Sequence, residues 1–121
     1  MTIIEAITRF DDLKPNTYTT EEKIAWLSQV DGMIAREILD THETELVFRG
    51  YDAETDTRTS LLAEEPFDNL YLSWLESRVD YYNGEYNRYN NSNAVFTTEY
   101  TAFQNHFNRT HKPKGTQIRY F

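Results

Sequence analysis

The chain has 121 residues, a length that suits one domain with a hydrophobic core and leaves no room for a second. It has no cysteine, which excludes a disulfide framework and a thiolate metal site, and no basic, apolar export signal or membrane-length apolar run, so we expect a soluble, unexported protein. The formal net charge of -8 argues against a dedicated nucleic-acid binder, because clustered Lys and Arg supply most non-specific affinity for phosphates.

The first two predicted helices begin at matching capping boxes. Thr2 is followed three residues later by Glu5, and Thr19 by Glu22, a spacing in which the cap and the glutamate satisfy each other's backbone N–H groups. Gly32 lies inside the second helix and either marks the close approach of another backbone or ring or is tolerated without a purpose. The predicted spans are 3–12 and 20–40, with apolar faces formed by Ile3, Ile4, Ile7 and Phe10 and by Ile24, Leu27, Val30, Ile34 and Ile38.

Helical periodicity is absent from residues 41–65. Val, Phe and Thr within 45–49 and 57–62 favour β structure, and the polar segment between these runs could close them into an irregular hairpin. A connection of this length in a compact domain is often functional. We predict a long irregular or β-hairpin-like arm that projects between the second and third helices and contacts a neighbouring molecule.

Residues 66–90 form the longest uninterrupted helical pattern, and we predict the central helix here. Pro66 suits its first position, where a missing N–H has no cost. The end of the pattern is aromatic but polar, because four tyrosines alternate with asparagines and charged residues. Tyrosine is enriched at protein interfaces, since it buries a large rigid ring and keeps a hydroxyl for water or a partner. The rings therefore either cap the core or form a protein-binding surface: Tyr81, Tyr82, Tyr86 and Tyr89.

The last predicted helix spans residues 94–109 and follows a break at 90–93. Asn and Ser side chains in that run compete for backbone hydrogen bonds, which favours a turn. Residues 112–121 form a C-terminal tail after Pro113 ends the pattern. An aromatic face suits antiparallel packing of this helix against the central one: Phe96, Tyr100, Phe103 and Phe107. The fold class is therefore all-α, a single domain (1–121) with about four helices in a small bundle.

Charge is distributed unevenly along the chain. All 20 acidic residues lie at or before Glu99, together with eight of the 12 basic ones, so this part carries -12. The remaining 22 residues carry +4 and no acid. An acidic body with a basic tail favours head-to-tail contact between copies, and we predict that segment 109–119 lies against the acidic surface of an adjacent copy. Its basic residues are Arg109, Lys112, Lys114 and Arg119.

No catalytic, metal-binding or cofactor-binding set is predicted. His106 and His111 are five residues apart, which is wrong for two metal ligands on one helical face. Asp52, Glu54 and Asp56 occupy the first, third and fifth places of a calcium loop, but the required glycine and bidentate glutamate are missing. There is no nucleophile elbow and no phosphate-cradling glycine loop. We therefore predict a protein that is not an enzyme, uses no cofactor and takes no small-molecule substrate.

A resemblance extends over most of the chain and is carried by three stretches, LKPNTYTTEEKIAWLSQVDGMI, SLLAEEPFDNLYLSWLESRVDYYNGEYNRYNNS and FNRTHKPKG. They resemble a family of small proteins encoded in the structural gene clusters of tailed phages and prophages of Gram-positive bacteria. The most specific portions are K-P-N-x-Y at the second helix and E-P-F-D-x-L-Y at the central helix. Neither portion is a catalytic signature.

The resemblance implies a virion structural protein of the head-tail connector, or adaptor, type. Such a subunit would form a ring beneath the portal and contact portal and neck proteins, first in the host cytoplasm and then in the virion neck. Two alternatives stay open from the residues themselves. One is a non-catalytic adaptor or regulatory protein that binds a single host or phage partner through its tyrosines. The other is a nucleic-acid accessory protein that uses the basic tail with Tyr81, Tyr86 and Tyr89 as stacking surfaces.

Overall fold

The computed structural model describes residues 1–42 and 47–111, and these contain four α-helices. They are α1 (Ile3–Leu13), α2 (Thr20–Glu37), α3 (Asn69–Tyr82) and α4 (Tyr86–Thr110), with one 3-10 turn (Leu39–Thr41) after α2. The described residues contain no strand, and an isolated antiparallel bridge joins Thr2 to Ser60. The prediction of an all-α bundle with a long irregular connection after the second helix is confirmed.

Both predicted capping boxes are present. The Thr2 hydroxyl accepts the Glu5 N–H at 3.2 Å while the Glu5 carboxylate accepts the Thr2 N–H at 2.8 Å. The same reciprocal pair joins Thr19 and Glu22 at 3.1 and 2.9 Å. Each box satisfies backbone donors that a helix start otherwise leaves without a partner, so α1 and α2 begin where the local sequence predicts.

Helix α3 is the centre of the bundle, because it packs against each of the other three helices. Four of its apolar or aromatic side chains, Leu70, Tyr71, Leu75 and Val79, are completely buried. Helix α4 returns antiparallel along α3, as predicted. Its buried face consists of Phe96, Phe103 and Phe107, with Tyr100 half-buried beside them.

The predicted continuous helix over 66–90 is wrong, because α3 ends early and α4 begins at once. Gly84 has a φ of 76°, a left-handed conformation that glycine adopts without a steric penalty. The N–H groups of Gly84 and Glu85 donate to the carbonyls of Tyr81 and Asp80, at 3.0 and 2.9 Å. This pair of hydrogen bonds is the pattern with which a glycine closes a helix. Two of the four tyrosines therefore belong to α4 and not to the central helix.

The predicted break at residues 90–93 is also wrong, since this run lies inside α4. The Ser92 hydroxyl donates to the Asp80 carboxylate on α3 at 2.9 Å, so a tertiary partner favours the helical conformation there. The start of α3 lies three residues after the predicted position at Pro66, because a hydrogen-bonded turn occupies 64–67.

The described part of the long connection, residues 47–65, packs on the helices and does not project. Leu61 and Ala63 are buried in the core, at 6% and 0% exposure. The Thr59 carbonyl accepts the Ile3 N–H at 3.0 Å, which fixes the segment to the start of α1. The expected arm is thus held to the body by apolar burial and backbone hydrogen bonds. Residues 43–46, where the first predicted β run begins, lie outside the described residues.

Gly32 in α2 faces an aromatic ring, as one of its two interpretations predicted. A β-carbon at this position would lie 3.9 Å from Cε2 of Phe48, which is ordinary van der Waals contact. Phe48 in turn meets Tyr51 edge to face, with ring centroids 5.1 Å apart. A ring does come close to Gly32, yet the space there does not require glycine.

Candidate protein-binding surface

Four tyrosines lie together at the turn between α3 and α4, and we call Tyr81, Tyr82, Tyr86 and Tyr89 the tyrosine surface. Tyr81 lies in the middle, with its ring centroid 5.3, 6.1 and 5.4 Å from those of Tyr82, Tyr86 and Tyr89. Tyr81, Tyr82 and Tyr86 are 45%, 56% and 62% exposed. The tight turn at Gly84 brings them together, because it places the start of α4 beside the end of α3.

Two buried tryptophans lie beneath the tyrosine surface. The ring of Tyr82 stacks on that of Trp26 with a centroid distance of 5.6 Å and an angle of 7° between the planes. The Trp74 indole N–H donates to the Trp26 carbonyl at 2.7 Å, which joins α3 to α2. Tyr18 meets Trp26 edge to face and donates its hydroxyl to Asn83 at 2.6 Å. The exposed rings therefore rest on a packed base, which reduces the conformational entropy that a partner would have to remove.

Arg78 lies among the rings of this surface. Its guanidinium carbon is 4.3 Å from the centre of the Trp74 ring and 5.7 Å from those of Tyr81 and Tyr89. A cation over an aromatic face is attracted by the negative charge density of that face, most strongly for Trp. Within residues 1–42 and 47–111, no carboxylate oxygen lies within 4 Å of the guanidinium. Sequence reasoning missed Arg78, whose spacing from Trp74 and Tyr81 on one helix face was the available signal.

A buried ion pair holds the helices in place next to the tyrosine surface. Asp80 on α3 is 1% exposed, and its carboxylate lies 2.9 Å from the Lys14 ammonium, which follows α1. Glu76 lies 3.9 Å from the same ammonium. The second Asp80 oxygen accepts the Ser92 hydroxyl of α4 at 2.9 Å. One carboxylate thus connects α1, α3 and α4, and it immediately precedes Tyr81 in the chain.

A second buried carboxylate fixes the long connection. Asp31 on α2 is completely buried and accepts hydrogen bonds from the hydroxyls of Tyr51 and Tyr71, both at 2.5 Å, and from the Leu62 N–H at 3.1 Å. Tyr71 also accepts the Ala63 N–H at 2.6 Å. Burial raises the pKa of Asp31 to about 6, although these three hydrogen bonds act in the opposite direction. Because solvent has no access to Asp31, its role in this arrangement is structural.

Sequence reasoning also missed Asp31, although a signal was present. Asp31 is four residues after Leu27 and seven after Ile24, so the helical spacing places it on the buried stripe of α2. A carboxylate on such a stripe requires hydrogen-bond partners. Both tyrosines and the Leu62 N–H come from outside α2, and two of the three come from the irregular connection.

The structure describes only one of the four basic residues that were predicted to contact an adjacent copy. Arg109 is exposed in the last turn of α4. Lys112, Lys114 and Arg119 lie outside the described residues. Their predicted contact with an adjacent copy stays a prediction.

The acidic and histidine side chains that were considered as metal ligands make other contacts in the structure. Asp52 accepts the Glu54 N–H at 2.8 Å within a turn, and Asp56 pairs with the exposed Arg58 at 3.1 Å. Over residues 1–42 and 47–111, no group of three or more His, Asp or Glu side chains is placed to hold a metal ion. His106 of α4 packs on the Phe67 ring, and His111, the C-terminal cap of α4, packs on the Phe107 ring.

The fold and the site define a small four-helix protein with an exposed aromatic surface at one inter-helix turn. No protein family, curated protein or solved structure matches this chain. None of the four described helices is both long enough and apolar enough to cross a membrane.

Proposed function

We propose that this protein is a non-catalytic assembly protein that binds other protein subunits through the tyrosine surface. The observation that carries the proposal is the exposure of three adjacent tyrosine rings, 45% to 62%, above a packed tryptophan base. The tryptophans beneath them, Trp26 and Trp74, are only 6% and 7% exposed, so the tyrosine rings are the aromatic side chains of this region that a partner can reach. Contiguous exposed apolar surface is typical of interaction sites, and Tyr, Trp and Arg carry most of the binding energy at protein interfaces.

In its more specific form, the proposal is a phage or prophage head-tail connector subunit that forms a ring and binds portal and neck proteins. The sequence resemblance supports this form. A ring also needs two different contact surfaces on each subunit, because each copy meets its two neighbours through different faces. The tyrosine surface and the basic segment 109–119 are two candidates for one of these faces, and the acidic surface of the adjacent copy is the candidate for the other. The protein would assemble in the host cytoplasm and remain in the virion neck.

Tyr86→Ala should weaken assembly by about 30-fold, because truncating one interface hot spot costs about 2 kcal/mol. Tyr86 is 62% exposed and contacts Tyr81 on the surface, so its loss should leave the fold unchanged. The measurement is the mass distribution of the purified protein across a concentration series, alone and with a candidate portal protein.

Val95→Ala is the matched control for this experiment. Val95 is 51% exposed on the same helix but does not belong to the tyrosine surface, so its truncation should change assembly less than threefold. Equal behaviour of the two variants would contradict the proposal. A one-to-one complex without higher oligomers would instead favour the adaptor that binds a single partner.

Reversing Lys112 and Lys114 to Glu should weaken self-association while leaving the melting temperature unchanged. The reversal places like charges opposite an acidic surface of the neighbouring copy, and the effect should be largest at low salt, where screening is weakest. The control is the Lys112→Arg, Lys114→Arg double variant, which keeps both charges. If the Glu variant assembles like the wild type at low salt, the tail contact is rejected.

A further inference from the structure

We infer that the tyrosine surface binds a carboxylate-bearing segment of a second copy of this chain, and that the Arg78 guanidinium binds that carboxylate. The inference rests on the proposed function and adds the chemistry of the partner. It follows from three features of the described residues: how Arg78 is held, what surrounds it, and where the chain carries its negative charge.

Arg78 has several aromatic contacts, and among the described residues its guanidinium makes one long hydrogen bond, to the Ser77 hydroxyl. The guanidinium lies over the Trp74 ring at 4.3 Å, and its Nε contacts the Ser77 hydroxyl only at 3.5 Å. A guanidinium has five N–H donors in its own plane, so a ring against its face does not occupy them. A carboxylate approaching the edge can accept two of these donors at once, the strongest geometry for this pair.

Arg78 differs from two exposed arginines of the chain. Arg58 is 85% exposed and pairs with Asp56, and Arg88 is 67% exposed and pairs with Glu85 at 3.5 Å. Arg78 is more buried than either, and no carboxylate among the described residues pairs with it. The surrounding rings would exclude water when a partner covers them, which strengthens an ion pair formed there.

Charge complementarity identifies a second copy as the occupant. The chain carries 20 acidic residues against 12 basic ones, so another copy approaches with a surface rich in carboxylates. Arg78 places a positive charge that has no carboxylate partner among the described residues at the tyrosine surface of this acidic protein. The cationic aromatic surface of one copy then faces an acidic surface of the next. Such a contact is head to tail, and its repetition closes a ring or extends a filament.

The test measures the self-association constant by sedimentation velocity for Arg78→Glu and Arg78→Lys. Arg78→Glu should lower the constant by at least 30-fold, because it places two negative charges together. Arg78→Lys keeps the charge but loses the two-point geometry, so we expect a loss of about threefold to tenfold. Arg58→Glu, a reversal at an exposed arginine away from the tyrosines, should change the constant less than threefold. Thermal melts confirm that each variant is folded.

A mixing experiment separates loss of the contact from loss of the fold. An Arg78→Glu copy still carries its acidic surface, so it should bind the Arg78 of a wild-type copy and cap it. Equimolar mixing should therefore give a one-to-one complex and shorten the wild-type oligomers. Absence of any mixed complex, or self-association of Arg78→Glu at the wild-type level, would overturn the inference.

The outcomes for this inference and for the proposed function are distinguishable. If Tyr86→Ala weakens self-association and Arg78→Glu does not, the carboxylate contact is wrong and the proposed function stands. If wild-type protein remains monomeric up to about 1 mM, the second copy is rejected as the occupant. The tyrosine variants then decide the proposed function through the complex with the portal protein. If neither substitution affects either assembly, both proposals fail.

Discussion

Replacing Lys14 by methionine should lower the free energy of unfolding by about 3 kcal/mol. The Lys14 ammonium lies 2.9 Å from Asp80, whose side chain is 1% exposed, and Asp80 then keeps only the Ser92 hydroxyl as a side-chain partner within the described residues. A buried carboxylate that loses its counter-ion retains the desolvation cost without the compensating attraction. Methionine preserves most of the apolar stem of lysine, so the loss of stability comes from the missing ammonium charge. Urea denaturation monitored by tryptophan fluorescence measures it.

Two comparisons test the cause of this loss. Adding Asp80→Asn to Lys14→Met should recover at least about 1 kcal/mol, because it removes the stranded charge. Lys23→Met is the matched control, since Lys23 pairs at 2.7 Å with Asp11, which is 43% exposed. Water can solvate Asp11 when its partner is lost, so this variant should cost about 1 kcal/mol or less. Equal costs at Lys14 and Lys23 would show that the burial of Asp80 is not what matters.

The beginnings of α1 and α2 could be predicted from the sequence because their causes are local. A capping box joins residues three apart, and the apolar spacing that follows needs no knowledge of the rest of the chain. Thr2 and Thr19 are therefore found where expected. The same holds for the aromatic face of α4, since a stripe of phenylalanines at helical spacing has to be buried somewhere.

The end of α3 was missed because two local signals competed. Asn83-Gly84 is a turn signal, and the run at 90–93 contains four residues that favour turns. The first signal prevails because Gly84 completes two backbone hydrogen bonds to α3. The second is overridden by the bond from Ser92 to Asp80, a contact between helices that no local pattern contains.

The candidate site could be predicted in part. All four tyrosines chosen from the sequence do lie together, but on two helices. Their support by Trp26, which precedes them by more than fifty residues, depends on the packing of α2 against α3. The fixation of the long connection at Asp31 depends in the same way on residues from three segments. These long-range pairings carry no periodic signal.

The stability of the wild type relative to Asp31→Asn should increase by about 2 kcal/mol as the pH falls from 7 to 4.5. Burial raises the pKa of Asp31 from an ordinary 3.8 to about 6. Between these two values the folded protein holds a proton that the unfolded chain has released, so its stability is largest at low pH and is lost as the pH rises through 6. Tyr51 and Tyr71 remain protonated donors throughout, because burial and the nearby Asp31 raise their pKa values further.

Urea denaturation of both proteins at pH 7, 6, 5 and 4.5 measures this difference. Subtracting the free energy of unfolding of one protein from that of the other cancels the contribution of carboxylates that titrate equally in both. Glu54→Gln is the control, because Glu54 is an exposed carboxylate of the same connection. Its free energy of unfolding should differ from that of the wild type by the same amount at every pH. A wild-type advantage that shrinks toward low pH would mean that the hydrogen bonds from Tyr51, Tyr71 and Leu62 outweigh desolvation. The sign of this pH dependence therefore decides whether desolvation or hydrogen bonding dominates at Asp31, the residue that holds the long connection to α2. With the predicted sign, ionised Asp31 makes the folded protein less stable at neutral pH than protonated Asp31 does at low pH, while its hydrogen bonds hold the long connection to α2.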